Sequence, residues 1–227
     1  MAGSSTDRGF PVPASGRHTD RKGRHPGDLA PAFYYDLGSP DAYLAAERVV
    51  GVLGTVPEFV PVRIGSPGGF RCAEEEAIYR SDIERRAAAY GLMPVRWPPE
   101  FPADTEWAML VATYAKQTGR VVAFSLAAFR QAFAAGRDLG ERDSVLIAAA
   151  AAEMHPAAVT KGAALKGTRA RLDAATEAAR AAGVRDVPAV RVGDRVFHGD
   201  RELEAAARAL IGEPAERHGA AATGGRR

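Results

Sequence analysis

Ala32-Phe33-Tyr34-Tyr35-Asp36-Leu37-Gly38-Ser39-Pro40 is the stretch whose reading decides the fold. Its first half is short, apolar and aromatic-rich, which predicts a buried strand. It stops at Gly38-Ser39-Pro40, where a serine suited to cap a helix precedes a proline suited to the first helical position. Ala42, Leu44, Ala45, Val49, Val52 and Leu53 then recur near the 3.6-residue period of a helix, which closes at Gly54. Residues 56–64 read as extended, because Pro57 and Pro61 exclude a helix there. Strand, helix, strand opens a parallel unit.

The character changes after residue 71. Residues 72–182 are alanine-rich, with helices predicted near 73–90, 105–118, 125–136, 143–153 and 159–182. Pro94, Pro98, Pro99 and Pro102 mark an irregular connector, and Gly119, the segment 136–140 and Pro156 punctuate the rest. Asp186 to Val192 reads as a strand, with Arg195 to His198 its hairpin partner across Gly193-Asp194. A last helix spans about 200–210, with Leu203, Ala206, Ala207 and Leu210 on one face. This order is that of an α/β, thioredoxin-like domain carrying an all-helical insertion, although pattern alone leaves other α/β sheet folds open. The expected organisation is a disordered tail over 1–31, a thioredoxin-like domain from 32–71 and 183–211, a helical insertion over 72–182, and a second disordered tail over 212–227.

Composition removes several function classes. The chain has 227 residues, 46% of them apolar and 26% charged, too apolar for a disordered chain. No uninterrupted apolar run approaches the roughly 18 residues that span a bilayer, so no membrane role is expected. The net charge of +2 belongs to the tails: residues 32–211 hold 22 basic and 23 acidic residues, which argues against a nucleic-acid partner. Cys72 is the single cysteine, so neither an internal disulfide nor a cysteine zinc site is available. The histidines at 18, 25, 155, 198 and 218 lack metal-ligand spacing, and His155 before Pro156 reads as a helix C-terminal cap. No metal is expected. The N-terminus lacks the apolar core of a secretory signal, so a cytoplasmic protein is expected. Gly65-Ser66-Pro67-Gly68-Gly69 lacks the Lys-Ser/Thr of a phosphate-binding loop.

Three places could carry chemistry. Ser39 has two readings: a plain cap, or a hydroxyl that, with the partial positive charge of a helix start, holds a thiolate. Val187-Pro188 opens a strand; a trans bond is the ordinary case, and a cis bond, found in about 5–6% of X-Pro pairs, would offer residue 187's backbone to an extended ligand. Asp200, followed by Arg201, is either a first-turn acid or a partner for the ammonium of an amino-acid end group.

Phe33-Tyr34-Tyr35-Asp36-Leu37-Gly38-Ser39-Pro40, followed by Tyr43-Leu44, resembles the opening of 2-hydroxychromene-2-carboxylate isomerases and kappa-class glutathione transferases, DsbA-like proteins of thioredoxin fold. Tyr79-Arg80-Ser81-Asp82-Ile83 with Arg85-Arg86-Ala87 and Tyr90-Gly91-Leu92 is similar to the family's first insertion helix. Phe197-His198-Gly199-Asp200-Arg201 is similar to its glutathione-end motif. The resemblance implies a glutathione or other low-molecular-weight thiol cofactor, with Ser39 supporting its sulfur as the catalytic residue. It implies that Val187 and the cis-proline Pro188 bind the tripeptide backbone, and that Asp200 with Arg201 binds the γ-glutamyl end. Tyr43, Arg63 and Arg71 are candidates for the aromatic-derived acid substrate, and a homodimer is implied. Ser39-Pro40-Asp41-Ala42 occupies the register of Cys-Pro-x-Cys in dithiol relatives, so both sulfurs are missing and dithiol exchange is excluded there. The expected activity is a thiol-dependent isomerase. A kappa-type transferase and a non-catalytic binding module are the rivals, the latter because residues 63–71 hold no lysine or asparagine where the family uses them.

Overall fold

The computed structural model describes residues 30–65 and 69–212. The tails expected at 1–31 and 212–227 lie outside these residues except at their inner edges, as do residues 66–68 of the glycine-rich segment. Strand β1 (Ala32–Tyr35), helix α1 (Pro40–Leu53) and strand β2 (Glu58–Pro61) come first. Six helices follow: α2 (Ala73–Ala89), α3 (Glu106–Gln117), α4 (Val121–Phe133), α5 (Arg142–Ala151), α6 (Pro156–Ala163) and α7 (Lys166–Ala181). The chain then returns through β3 (Ala189–Val192), β4 (Arg195–His198), a 3-10 turn at Asp200–Glu202 and α8 (Leu203–Leu210).

The strands form one sheet in the order β2-β1-β3-β4. β2 runs parallel to β1, which the α1 crossover requires, whereas β3 is antiparallel to β1 and β4 to β3. The opening motif therefore lies in the middle of the sheet, and its alternation feeds two cores. Phe33 and Tyr35 face α1, α8 and the insertion, while Ala32 and Tyr34 join Val60, Val62, Ile64, Val184 and Ala179 of α7 on the opposite face. The Tyr35 ring lies 5.7 Å from Phe129 of α4, and its hydroxyl bonds Ser125 at 2.5 Å. Burial pushes that hydroxyl's pKa well above the ordinary tyrosine value.

Local rules explain most boundaries. Ser39 caps α1, Pro40 is its first residue, and Gly54 ends it in the left-handed conformation, φ 66°. The structure corrects three expectations. The predicted 159–182 helix is two helices, broken where Leu165 adopts an extended backbone; Gly162 packs so tightly on Tyr114 that a Cβ would lie 2.4 Å from the ring. His155 is an N-cap, not a C-cap: its Nδ1 accepts the Ala157 N–H at 3.2 Å, with Pro156 first in α6. Tyr43, expected near substrate, is 1% exposed and packs between Phe129 and Phe133, because one turn beyond Ser39 it faces α4.

Candidate active site

The turn from β1 into α1 is built on a buried acid. The Asp36 carboxylate oxygen Oδ1 accepts the Gly38 N–H at 2.9 Å and the Thr105 hydroxyl at 3.0 Å, and the Asp36 carbonyl accepts the Ser39 N–H at 3.1 Å. Burial raises the Asp36 carboxyl above the usual range, opposed by the Gly38 N–H, the Thr105 hydroxyl and the charge of Arg63. On this support Ser39 sits at the start of α1, 5% exposed, with Oγ accepting the Ala42 N–H at 3.1 Å. Its hydroxyl still has one proton to donate.

The segment before β3 contributes a second backbone edge. The Val187–Pro188 peptide is cis, and the Pro188 carbonyl accepts the Gly199 N–H at 2.8 Å. The Val187 N–H, expected to face a ligand, donates to Asp186 Oδ1 at 2.7 Å. That carboxylate presses on Gly65, where a Cβ would stand 1.9 Å from Oδ1 and where φ is +65°.

Tyr79 reaches the first of these edges. Its hydroxyl donates to Asp41 Oδ2 at 2.7 Å in the first turn of α1. Burial lifts its pKa far above the usual value, reinforced by Asp41 and, from the β3 side, by Asp186. Around it stands an aromatic wall. Phe70 lies 5.5 Å and Phe101 6.4 Å from the Tyr79 ring, Trp97 stands edge-on to Phe101 at 5.0 Å, and Arg80 covers Trp97 at 4.7 Å. Tyr79 and Arg80 come from α2, Trp97 and Phe101 from the proline-rich connector, and Phe70 from the segment just before α2.

Beyond Asp41 the acids are locked to one arginine. Arg86 of α2 bonds Asp200, bonds Asp41 at 2.6 Å, and has Nε 2.8 Å from Asp82, an ion pair without hydrogen-bond geometry. The Tyr90 hydroxyl donates to the other Asp200 oxygen at 2.9 Å, and Arg48 donates to the Asp200 carbonyl at 3.1 Å. This corrects the expectation that Asp200 meets a ligand's ammonium: at 2% exposure, both its carboxylate oxygens are taken by the insertion helix. Arg201 turns outward to Asp82, 3.1 Å away.

The substrate candidates divide. Arg63 stands beside the Asp36 turn, half-exposed and 3.9 Å from Glu106. Arg71 grips Glu75 through two bonds and is 89% exposed, which leaves it no described contact with the site. Sequence reasoning missed Asp36, Asp41, Tyr79, Thr105 and Arg86 as site residues. The signal lay in Trp97 and Phe101, large aromatics inside a segment read only as a connector. Among the described residues no group of three His, Cys, Asp or Glu side chains is placed to hold a metal.

Comparisons with known proteins agree with this architecture. A DSBA-like thioredoxin domain model matches residues 32–211. No curated protein matches the chain. Among solved structures, a 2-hydroxychromene-2-carboxylate isomerase superposes with a TM-score of 0.69 at 18% identity, over 80% of this chain and 94% of its own. A probable DsbA oxidoreductase from Streptomyces coelicolor gives 0.64 at 20% identity, over 82% and 92%. The cytosolic disulfide reductase DsbM from Pseudomonas aeruginosa, solved with GSH, gives 0.55 at 17% identity, over 81% and 97%. At such identities the likeness is one of fold. The family match is what spans most of the chain, and by it this protein belongs to the DsbA-like thioredoxin domain family.

Proposed function

We propose that the protein is a small-thiol-dependent isomerase of an aromatic-derived acid, using glutathione or a similar thiol as a borrowed nucleophile. One observation carries this reading. The helix start that bears the sulfur in dithiol relatives bears Ser39 here, and an aromatic wall reaches the same first turn through Tyr79 and Asp41. A serine supplies no sulfur but donates a hydrogen bond to one.

The thiol's sulfur rests at the start of α1, with its backbone against the carbonyl side of Val187, whose N–H is held by Asp186. Lowering a thiol pKa from about 9 to about 7 raises its thiolate fraction tens of fold at neutral pH, or about 2.7 kcal/mol. A helix end contributes typically 0.3–1 kcal/mol, so the Ser39 hydroxyl supplies the larger share. Asp41, the acid nearest in sequence, would oppose a thiolate, but Arg86 and the Tyr79 hydroxyl hold its charge. The thiolate adds to a conjugated carbon of a substrate stacked on the Phe70, Tyr79 and Phe101 rings, with Arg63 receiving the carboxylate. The carbon that was doubly bonded rotates as a single bond, and elimination expels the thiolate unchanged.

A second reading, a non-catalytic binding module, draws on Asp186 occupying the Val187 N–H and on Arg86 closing Asp200. Two measurements separate them. Glutathione at 100 times its dissociation constant stabilises a binder by about 2.7 kcal/mol, readable as a thermal shift. Turnover of 2-hydroxychromene-2-carboxylate that requires glutathione without consuming it, and falls at least tenfold in Ser39→Ala, supports the isomerase. Binding without turnover supports the module, and consumption of the thiol supports a transferase.

A further inference from the structure

A hollow of about 350 Å³ lies among α3, α5 and the junction of α6 with α7. Its wall includes Trp107 and Leu110 of α3, and Leu165 at the helix junction. Its charged lining is entirely basic: Arg142, Lys166 and Arg169. Arg142 rests over the Trp107 ring at 5.2 Å, and Arg169 pairs with Glu106 at 2.6 Å. Among the described residues neither Arg142 nor Lys166 has a carboxylate within 4 Å, so two positive charges share one cavity without a neutralising partner. Leu165 is 52% exposed at the same place, an apolar side chain left in water beside them.

Like charges around an apolar hollow repel one another and fit an anion with a flat apolar body. The volume is at the small end of ligand cavities, enough for a single-ring compound. We infer that this hollow is a binding site for a small aromatic carboxylate: its carboxylate meets Arg142 and Lys166, and its ring lies against Trp107 and Leu165. Ser39, Tyr79 and Arg63 are not in the lining of this site, although Arg63 and Arg169 share Glu106, and it stands whether or not the isomerase reading holds.

The chain has two tryptophans, so the Trp107 indole N–H signal in a ¹⁵N-tryptophan NMR spectrum is assigned by comparison with Trp97→Phe. The probes are 4-hydroxybenzoate, its neutral amide 4-hydroxybenzamide, and inorganic phosphate. The expected result is a saturable shift of the Trp107 signal by 4-hydroxybenzoate with a dissociation constant below 1 mM on the scale of weak ligands. The amide and phosphate should bind at least tenfold more weakly, and Arg142→Gln with Lys166→Gln should weaken the benzoate at least tenfold. Both replaced side chains are exposed, so the fold tolerates them. No saturable shift, equal binding of the amide, equal binding of phosphate, or indifference to the double substitution each overturns the inference. A shift confined to Trp97 does so too, because it reports the wall beside Tyr79 instead.

Discussion

Asp36 and Asp200 are both 2% exposed, one in the turn after β1 and the other in the turn after β4, yet their charges are handled differently. Asp200 receives a guanidinium and a phenol. Asp36 receives an N–H and a threonine hydroxyl, with Arg63 acting only through space, and its pKa is driven upward by burial. A buried acid given a full counter-charge becomes part of the frame, because removing the cation leaves an uncompensated buried charge. In a buried acid given only neutral donors, burial favours the protonated form. The turn under Ser39 is the adjustable one.

The largest test of this contrast is Arg86→Ala. It strands Asp200 without a cation, which costs about 3–5 kcal/mol for a buried pair, measured by urea unfolding. Asp200→Asn added to it should recover part of the loss. A cost below about 1 kcal/mol for Arg86→Ala would make the two turns equivalent.

Next in size are substitutions at the adjustable turn. Thr105→Val removes a donor to Asp36 and should cost about 1 kcal/mol, more at pH 7 than at pH 4, since the lost bond favours the charged carboxylate. Asp36→Asn keeps an acceptor for both donors and removes the charge. Because the folded pKa of Asp36 is raised, its contribution is complete below the ordinary carboxylate range and is lost as pH rises through the raised value. Wild type should therefore lose stability relative to Asp36→Asn as the pH climbs from 4 to 8. Parallel curves would show that burial does not raise the Asp36 carboxyl.

Ser39→Ala removes the cap bond to Ala42 and should cost about 1 kcal/mol by the same unfolding measurement. The smallest effect belongs to Arg71→Ala. Its ion pair with Glu75 is on the surface, so the change should stay within about 0.5 kcal/mol and leave any thiol-dependent turnover intact.

The same contrast explains what could be read beforehand. The cap at Ser39, the stop at Gly54 and the hairpin across Gly193-Asp194 obey rules that act over a few residues, so they were legible. His155-Pro156 repeats the pattern of Ser39-Pro40 and was open to the same reading, but the alanines around it carry no periodic signal. The break at Leu165 depends on Gly162 meeting Tyr114 from another helix, which no local rule contains. Arg86 is one of several arginines on α2. Which of them is buried depends on Asp41, Asp82 and Asp200 converging from three parts of the chain. The aromatic wall is likewise assembled from separated segments, and Asp200 was misjudged because its partner lies 114 residues away.

That separation has a consequence for how the molecule is born. Arg86 is translated long before Asp200, and at about 5–20 residues per second the interval is roughly 6–23 s. For nearly all of it, until Ala189–Val192 is made, β1 also lacks β3, its central neighbour. A nascent chain leaving the ribosome therefore carries an aromatic strand open on one side and an arginine short of one acid. Its final closure is set by the arrival of β3, β4 and α8, from Ala189 to Leu210, so a chain cut short before Ala189 cannot complete the sheet.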